Sequence, residues 1–192
     1  MVPAFVLAAP DVARAAGSLG FGTAPTMPTL STVTLNAKSQ TVNTTMTNFS
    51  VSDTRGTKSG WNVTVAAQGG EKRSAVFAQF CPKLKCRADA EGFPVGGKTL
   101  PANSLKLSST GAKFTGGAGT APTLQCAAGC NMDSASAVKV ASAAKGGAGE
   151  GTWTASGWSV TSLGLSIATT LRALPVEEVY RVNLLWTLST GP

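Results

Sequence analysis

The sequence predicts an all-β fold: a β-sandwich-like domain with two disulfide-closed loop insertions. Three observations carry that expectation. Apolar residues recur with a period of two, and no stretch sustains a 3.6-residue apolar period over helical length. The chain is punctuated by 22 glycines and 10 prolines, which break it into short segments. Its four cysteines fall as two close pairs, Cys81 with Cys86 and Cys126 with Cys130.

The alternation is clearest near the end of the chain. Tyr180, Val182, Leu184, Trp186 and Leu188 share one face, and Arg181, Asn183, Thr187 and Ser189 the other, with Leu185 the exception. That pattern predicts one continuous strand from Tyr180 to Leu188 with one face in the core. Trp61, Val63 and Val65 alternate with Asn62 and Thr64, and Leu163, Leu165, Ile167 and Leu171 share a parity. Shorter copies are Phe49 with Val51, Leu105 with Leu107, and Val138 with Val140. Turn signals separate them at Gly56, Gly60, Gly69-Gly70, Gly96-Gly97, Gly116-Gly117 and Gly146-Gly147. Many short strands at this spacing describe a sandwich or a barrel.

Residues 78–103 and 110–136 alternate poorly, and each holds one cysteine pair. They read as loops, each closed by a local disulfide, because a long loop without its own core needs a staple. A metal is the rival for four cysteines. Zinc ligands are typically separated by two residues; here the gaps are four and three, and the chain has no histidine to complete a site. The expectation is therefore two disulfides, no metal and no cofactor.

Length and composition bound the function. The 192 residues fit one domain and are 43% apolar, enough for a core, but only 13% are charged. Ser, Thr, Asn and Gly must cover the surface, as in many extracellular β proteins. The net charge of +7 serves solubility or attraction to a polyanion. Nucleic acid fits poorly, because the cations are scattered singly without interleaved aromatics. With no histidine, a Ser-His-Asp or Cys-His site is excluded. Glu177 and Glu178 are adjacent and would point to opposite faces of a strand, so they make no glycosidase pair alone; Asp133 and Glu150 read as loop residues. At the N-terminus, Val2–Ala9 is apolar and Ala13-Arg14-Ala15 matches a small-x-small cleavage site. Residues 1–15 thus read as a signal-peptide remnant and 16–192 as a single β domain. No run is long enough to span a bilayer.

Two blocks carry a family resemblance. Phe49-Ser-Val-Ser-Asp53-Thr-Arg55-Gly56 leads through Lys58-Ser-Gly60 to Trp61-Asn-Val63-Thr-Val65: a strand, an Asp-x-Arg-Gly turn, and a strand opening with Trp. The chain closes on Tyr180-Arg-Val-Asn-Leu-Leu-Trp186-Thr187-Leu188-Ser-Thr-Gly-Pro192. Together they resemble the two signature blocks of the WxL domain, and Leu19-Gly-Phe21-Gly22 is similar to its opening strand. The first block departs from the pattern in reading Trp61-Asn-Val63, and the four cysteines lie outside the usual pattern. The resemblance implies an all-β domain with Trp61 and Trp186 central to it. It also implies a secreted protein on a Gram-positive cell surface, attached noncovalently to peptidoglycan and working with other exported surface proteins.

The candidate ligand-binding residues are Trp61, Trp186, Leu188, Trp153 and Arg55. Trp61 and Trp186 lie on apolar strand faces, where core packing competes with a sugar-stacking platform; both hold if the rings line a half-open groove. Trp158 shares its parity with Val160 and reads as core, leaving Trp153 as the candidate exposed ring. Arg55 either contacts a wall polymer or pairs locally with Asp53. Noncovalent binding to peptidoglycan or another anionic wall polymer is the function expected. The alternative is a structural subunit of an extracellular or virion assembly.

Overall fold

The computed structural model describes residues 17–83, 86 and 91–191. The expected signal-peptide remnant at residues 1–15 lies outside the described residues. Fourteen strands are described: β1 Leu19–Thr23, β2 Gln40–Thr44, β3 Phe49–Asp53, β4 Trp61–Ala67, β5 Ala78–Phe80, β6 Leu105–Leu107, β7 Lys113–Ala118, β8 Thr123–Leu124, β9 Cys130–Asn131, β10 Val138–Ala143, β11 Glu150–Ser156, β12 Leu163–Ile167, β13 Val179–Arg181 and β14 Leu184–Thr190. Among the described residues there is no α-helix, and so none long and apolar enough to cross a membrane. The strands pair antiparallel in the orders β1-β3-β11-β7, β14-β4-β10-β8 and β2-β12-β6-β9, with β13-β5 as a separate ribbon. The all-β expectation holds.

Two sheets meet through the aromatic residues that the alternation places inward. Phe49 of β3 lies 6.1 Å from Trp186 of β14, and Trp61 of β4 lies 5.9 Å from Phe114 of β7, edge to face. Each pair bridges the first sheet and the second, which is the contact of a sandwich. Val51, Val63, Val65, Val140 and Ala155 fill the space between them and are fully buried. The third sheet closes one side of the core with Leu105, Leu107 and Leu163.

Four local readings change. The strand expected from Tyr180 to Leu188 is broken at Val182-Asn183. Asn183 turns its backbone to the neighbouring loop: its N–H donates to the Ser74 carbonyl (2.9 Å), its carbonyl accepts from Gln68 (2.9 Å), and its side chain accepts from the Ser74 N–H (3.1 Å). The parity survives the break, since Tyr180, Val182, Leu184, Trp186 and Leu188 are all half-buried against the core. In β10 the register shifts between Lys139 and Ala141, so Val140 and Ala141 are both buried. The first cysteine region contributes β5, which pairs with β13. The second contains β7, a full edge strand of the first sheet, along with β8 and β9.

The glycines that suggested a turn at Gly116-Gly117 are the reason β7 escapes the alternation rule. Gly117 has φ +59°, and a Cβ there would stand 2.1 Å from the Trp153 ring. The strand needs a bare backbone to lie over the indole. The two disulfides are local, as the spacing predicts: Cys81–Cys86 with Cα atoms 5.6 Å apart and Cys126–Cys130 at 5.2 Å.

Gly117→Ala should therefore cost about 2–3 kcal/mol, since left-handed strain and overpacking each cost roughly 1–3 kcal/mol. Gly20→Ala, where a Cβ meets nothing within 4 Å, should change stability by under about 0.5 kcal/mol. Urea unfolding of both variants checks the pair; equal losses would mean that Gly117 does not hold the indole in place.

Candidate functional site

The Asp-x-Arg-Gly turn follows β3, and its ion pair is built into the frame. Arg55 grips Asp53 with two parallel bonds, Nε to Oδ1 at 2.9 Å and Nη2 to Oδ2 at 2.8 Å. Its Nη2 also donates to the Gly60 carbonyl (2.9 Å), and its Nη1 to the Thr190 hydroxyl (2.7 Å). Gly191 N–H donates to the same Gly60 carbonyl (3.1 Å). One guanidinium thus ties the end of β3, the start of β4 and the end of β14. Asp53 is almost fully buried. Hydrogen bonding from Arg55 holds the Asp53 carboxyl below the usual carboxylate range, against the opposing effect of burial, and the Arg55 pKa is raised in return.

The tryptophans divide by exposure. Trp61 is 0% exposed, and its indole N–H donates to the Gly149 carbonyl (3.2 Å). Gly149 has φ +73°, and a Cβ there would come within 2.6 Å of that nitrogen. Trp153, the candidate for an exposed ring, is 6% exposed; it lies under Gly117 and donates to the Glu150 carbonyl (2.8 Å). Trp158 is buried as expected, but not by parity with Val160, which stands out in solvent. Both residues lie in the loop after β11, where Trp158 stacks against Phe49 at 6.3 Å. Trp186 and Leu188 are half-buried on β14, opposite Val65 and Val63 of β4. Of the five candidates, Trp186 is the one that borders open space.

That space is a groove of about 1100 Å³. Its floor is β12 and β6 (Leu163, Leu165, Leu105), its far wall runs from Tyr180 to Trp186, and residues 27–35 pass over it without joining a sheet. Tyr180 donates its O–H to the Arg172 carbonyl (2.9 Å) at the rim, and burial raises its pKa. Sequence reasoning placed the β12 face in the core, where it is, and left the face of Trp186 open between core packing and a half-open groove. The signal available was the irregular, Pro-containing stretch before β2, which lacks the strand partner that would cover them. Asp133, read as a loop residue, is fully buried and accepts from the N–H groups of Ser104 and Leu105 (both 2.9 Å), while burial pushes its carboxyl pKa up.

The two aromatic signature strands thus lie side by side in a sandwich, locked by one Asp–Arg pair. The family model described as WxL domain surface cell wall-binding matches residues 12–192, nearly the whole chain, and the chain belongs to that family. It is a family of wall-binding domains, not of enzymes. No curated protein and no solved structure matches the chain.

Arg55→Ala should cost about 3 kcal/mol, because it strands a buried carboxylate. The pH dependence has a defined sign. Asp53 has a folded pKa below its unfolded value of about 3.9, so its contribution is fully present above pH 4 to 5 and is lost as pH falls through the lowered folded value. Asp133, shifted upward, acts in the opposite direction in both proteins. The difference in unfolding free energy between wild type and Arg55→Ala should therefore shrink on acidification from pH 7 to 3. A constant difference would mean that the pair does not lower the Asp53 pKa.

Proposed function

We propose that the domain is exported and held noncovalently on a Gram-positive wall by peptidoglycan or an associated anionic polymer, without catalysing a reaction. The family match over residues 12–192 carries this reading. The charge supports it: +7 on 192 residues favours a polyanion, and Lys and Arg side chains present it on a surface otherwise poor in charge. Sugar stacking by Trp61 or Trp153 has no support, since both rings are buried. Of the candidate tryptophans, Trp186 is the one left half-buried. Association with other exported surface proteins belongs to the same proposal.

The experiment is a pull-down on purified sacculi across a salt series. Bound protein should fall as salt rises from 0.01 M to 0.15 M, where the Debye length shrinks from about 30 Å to about 8 Å. Salt-insensitive binding that Trp186→Phe weakens would assign the contact to stacking instead. Folded protein that binds sacculi at no salt overturns the reading, and self-assembly without wall would put a structural subunit in its place.

A further inference from the structure

We propose that the groove binds an anionic amphiphile: its hydrocarbon chain lies between the apolar walls and its acidic headgroup sits at a cationic rim. The proposal does not rest on the wall-binding reading.

The interior argues for the chain. At about 1100 Å³ the groove is at the upper limit of ligand pockets, which run roughly 300–1,000 Å³, and an apolar cavity of about 150 Å³ already takes up small hydrocarbons. Leu105, Leu163, Leu165 and Ile167 at its base are already buried in the core, so a chain would contact the half-buried Leu171, Leu184 and Trp186 of the walls. Met27 and Leu30 face the groove from the overlying segment and are themselves only half-buried. A glycan would leave hydroxyls unpaired against these apolar walls, whereas a polymethylene chain needs no partner.

The rim argues for the headgroup. A smaller cleft of about 230 Å³ shares Leu171, Arg172 and Tyr180 with the groove and adds Lys98. Lys98 Nζ donates to the Ala173 carbonyl at 2.6 Å, which brings the ammonium beside the Arg172 segment. Arg181 also lines the groove, 4.5 Å above the Phe80 ring. Among the described residues Glu178 is the only acidic one lining either space, and it already accepts from the Gln79 side chain. Three cations against one engaged carboxylate complement an anion.

The test titrates the whole protein with octyl, dodecyl and hexadecyl phosphate below their micelle concentrations. Binding is read by calorimetry and by the fluorescence of Trp186, which lines the groove. Dodecyl phosphate should bind one to one, and affinity should rise about fourfold per added methylene until the groove is full. Inorganic phosphate should not bind, and dodecyl maltoside, the neutral control, should bind at least about tenfold more weakly. The double variant Lys98→Glu/Arg172→Glu should weaken dodecyl phosphate about tenfold or more, with unchanged circular dichroism. Met27→Trp, which fills the groove from its roof, should weaken hexadecyl phosphate most. Affinity independent of chain length overturns the proposal, as does equal binding of the neutral glycoside. Loss of binding on protein dilution would assign the groove to a second copy of the chain, and capture by phosphatidylglycerol vesicles without binding of monomeric amphiphile would assign it to a membrane surface; either result overturns it.

Discussion

Arg55 sets the geometry on which the rest depends. Its donors reach Asp53, Gly60 and Thr190, groups on three segments that are separated in the chain and belong to both sheets of the sandwich. A bidentate guanidinium–carboxylate pair is directional, so it fixes where β14 ends relative to the start of β4. Once Thr190 is opposite Trp61, the antiparallel register places Leu188 opposite Val63 and Trp186 opposite Val65. A one-residue slip would turn every one of those side chains outward. The two signature blocks are thus coupled by one charge pair, and their order in sequence becomes adjacency in space.

Where backbone alternation decided an element, the sequence was legible. Phe49 with Val51, Trp61 to Val65, Leu105 with Leu107 and Leu163 to Ile167 all became strands with the expected faces inward. It was not legible where something other than side-chain parity decided. Phe114 is the only large apolar residue in β7, and at Gly117 that strand must lie flat on Trp153. Asn183 interrupts the last strand because its hydrogen bonds go to Ser74 and Gln68, a contact that no local pattern announces. Trp153 was the candidate for an exposed ring, and it is buried by a neighbouring backbone that parity cannot see.

The candidate site was legible in its residue types and not in their roles. Tryptophan and arginine in signature positions suggest contact with a ligand, yet Trp61, Trp153 and Arg55 direct their N–H groups to this chain's own acceptors. The groove, by contrast, is made of Leu, Ile and Val that any core would contain. What distinguishes it is that the segment above it never pairs as a strand, leaving a space between apolar surfaces that elsewhere in the molecule are in contact.

The final strand shows how one motif serves both purposes. From Leu184 to Thr190 is six residue steps of about 3.3 Å, roughly 20 Å. One end borders the groove through Leu184 and Trp186, and the other is held by Arg55 through Thr190. Leu188 lies between them, packed on the core and absent from the groove lining. The residues of Trp-x-Leu are therefore not equivalent: the leucine anchors the strand on the sandwich, while the tryptophan joins core to groove, its ring 6.1 Å from Phe49. A strand held at its far end by a charge pair and along its length by β4 keeps that tryptophan in place whether or not the groove is filled. The wall of the groove is preorganised by the same contacts that hold the fold together, so binding there need not order the strand first.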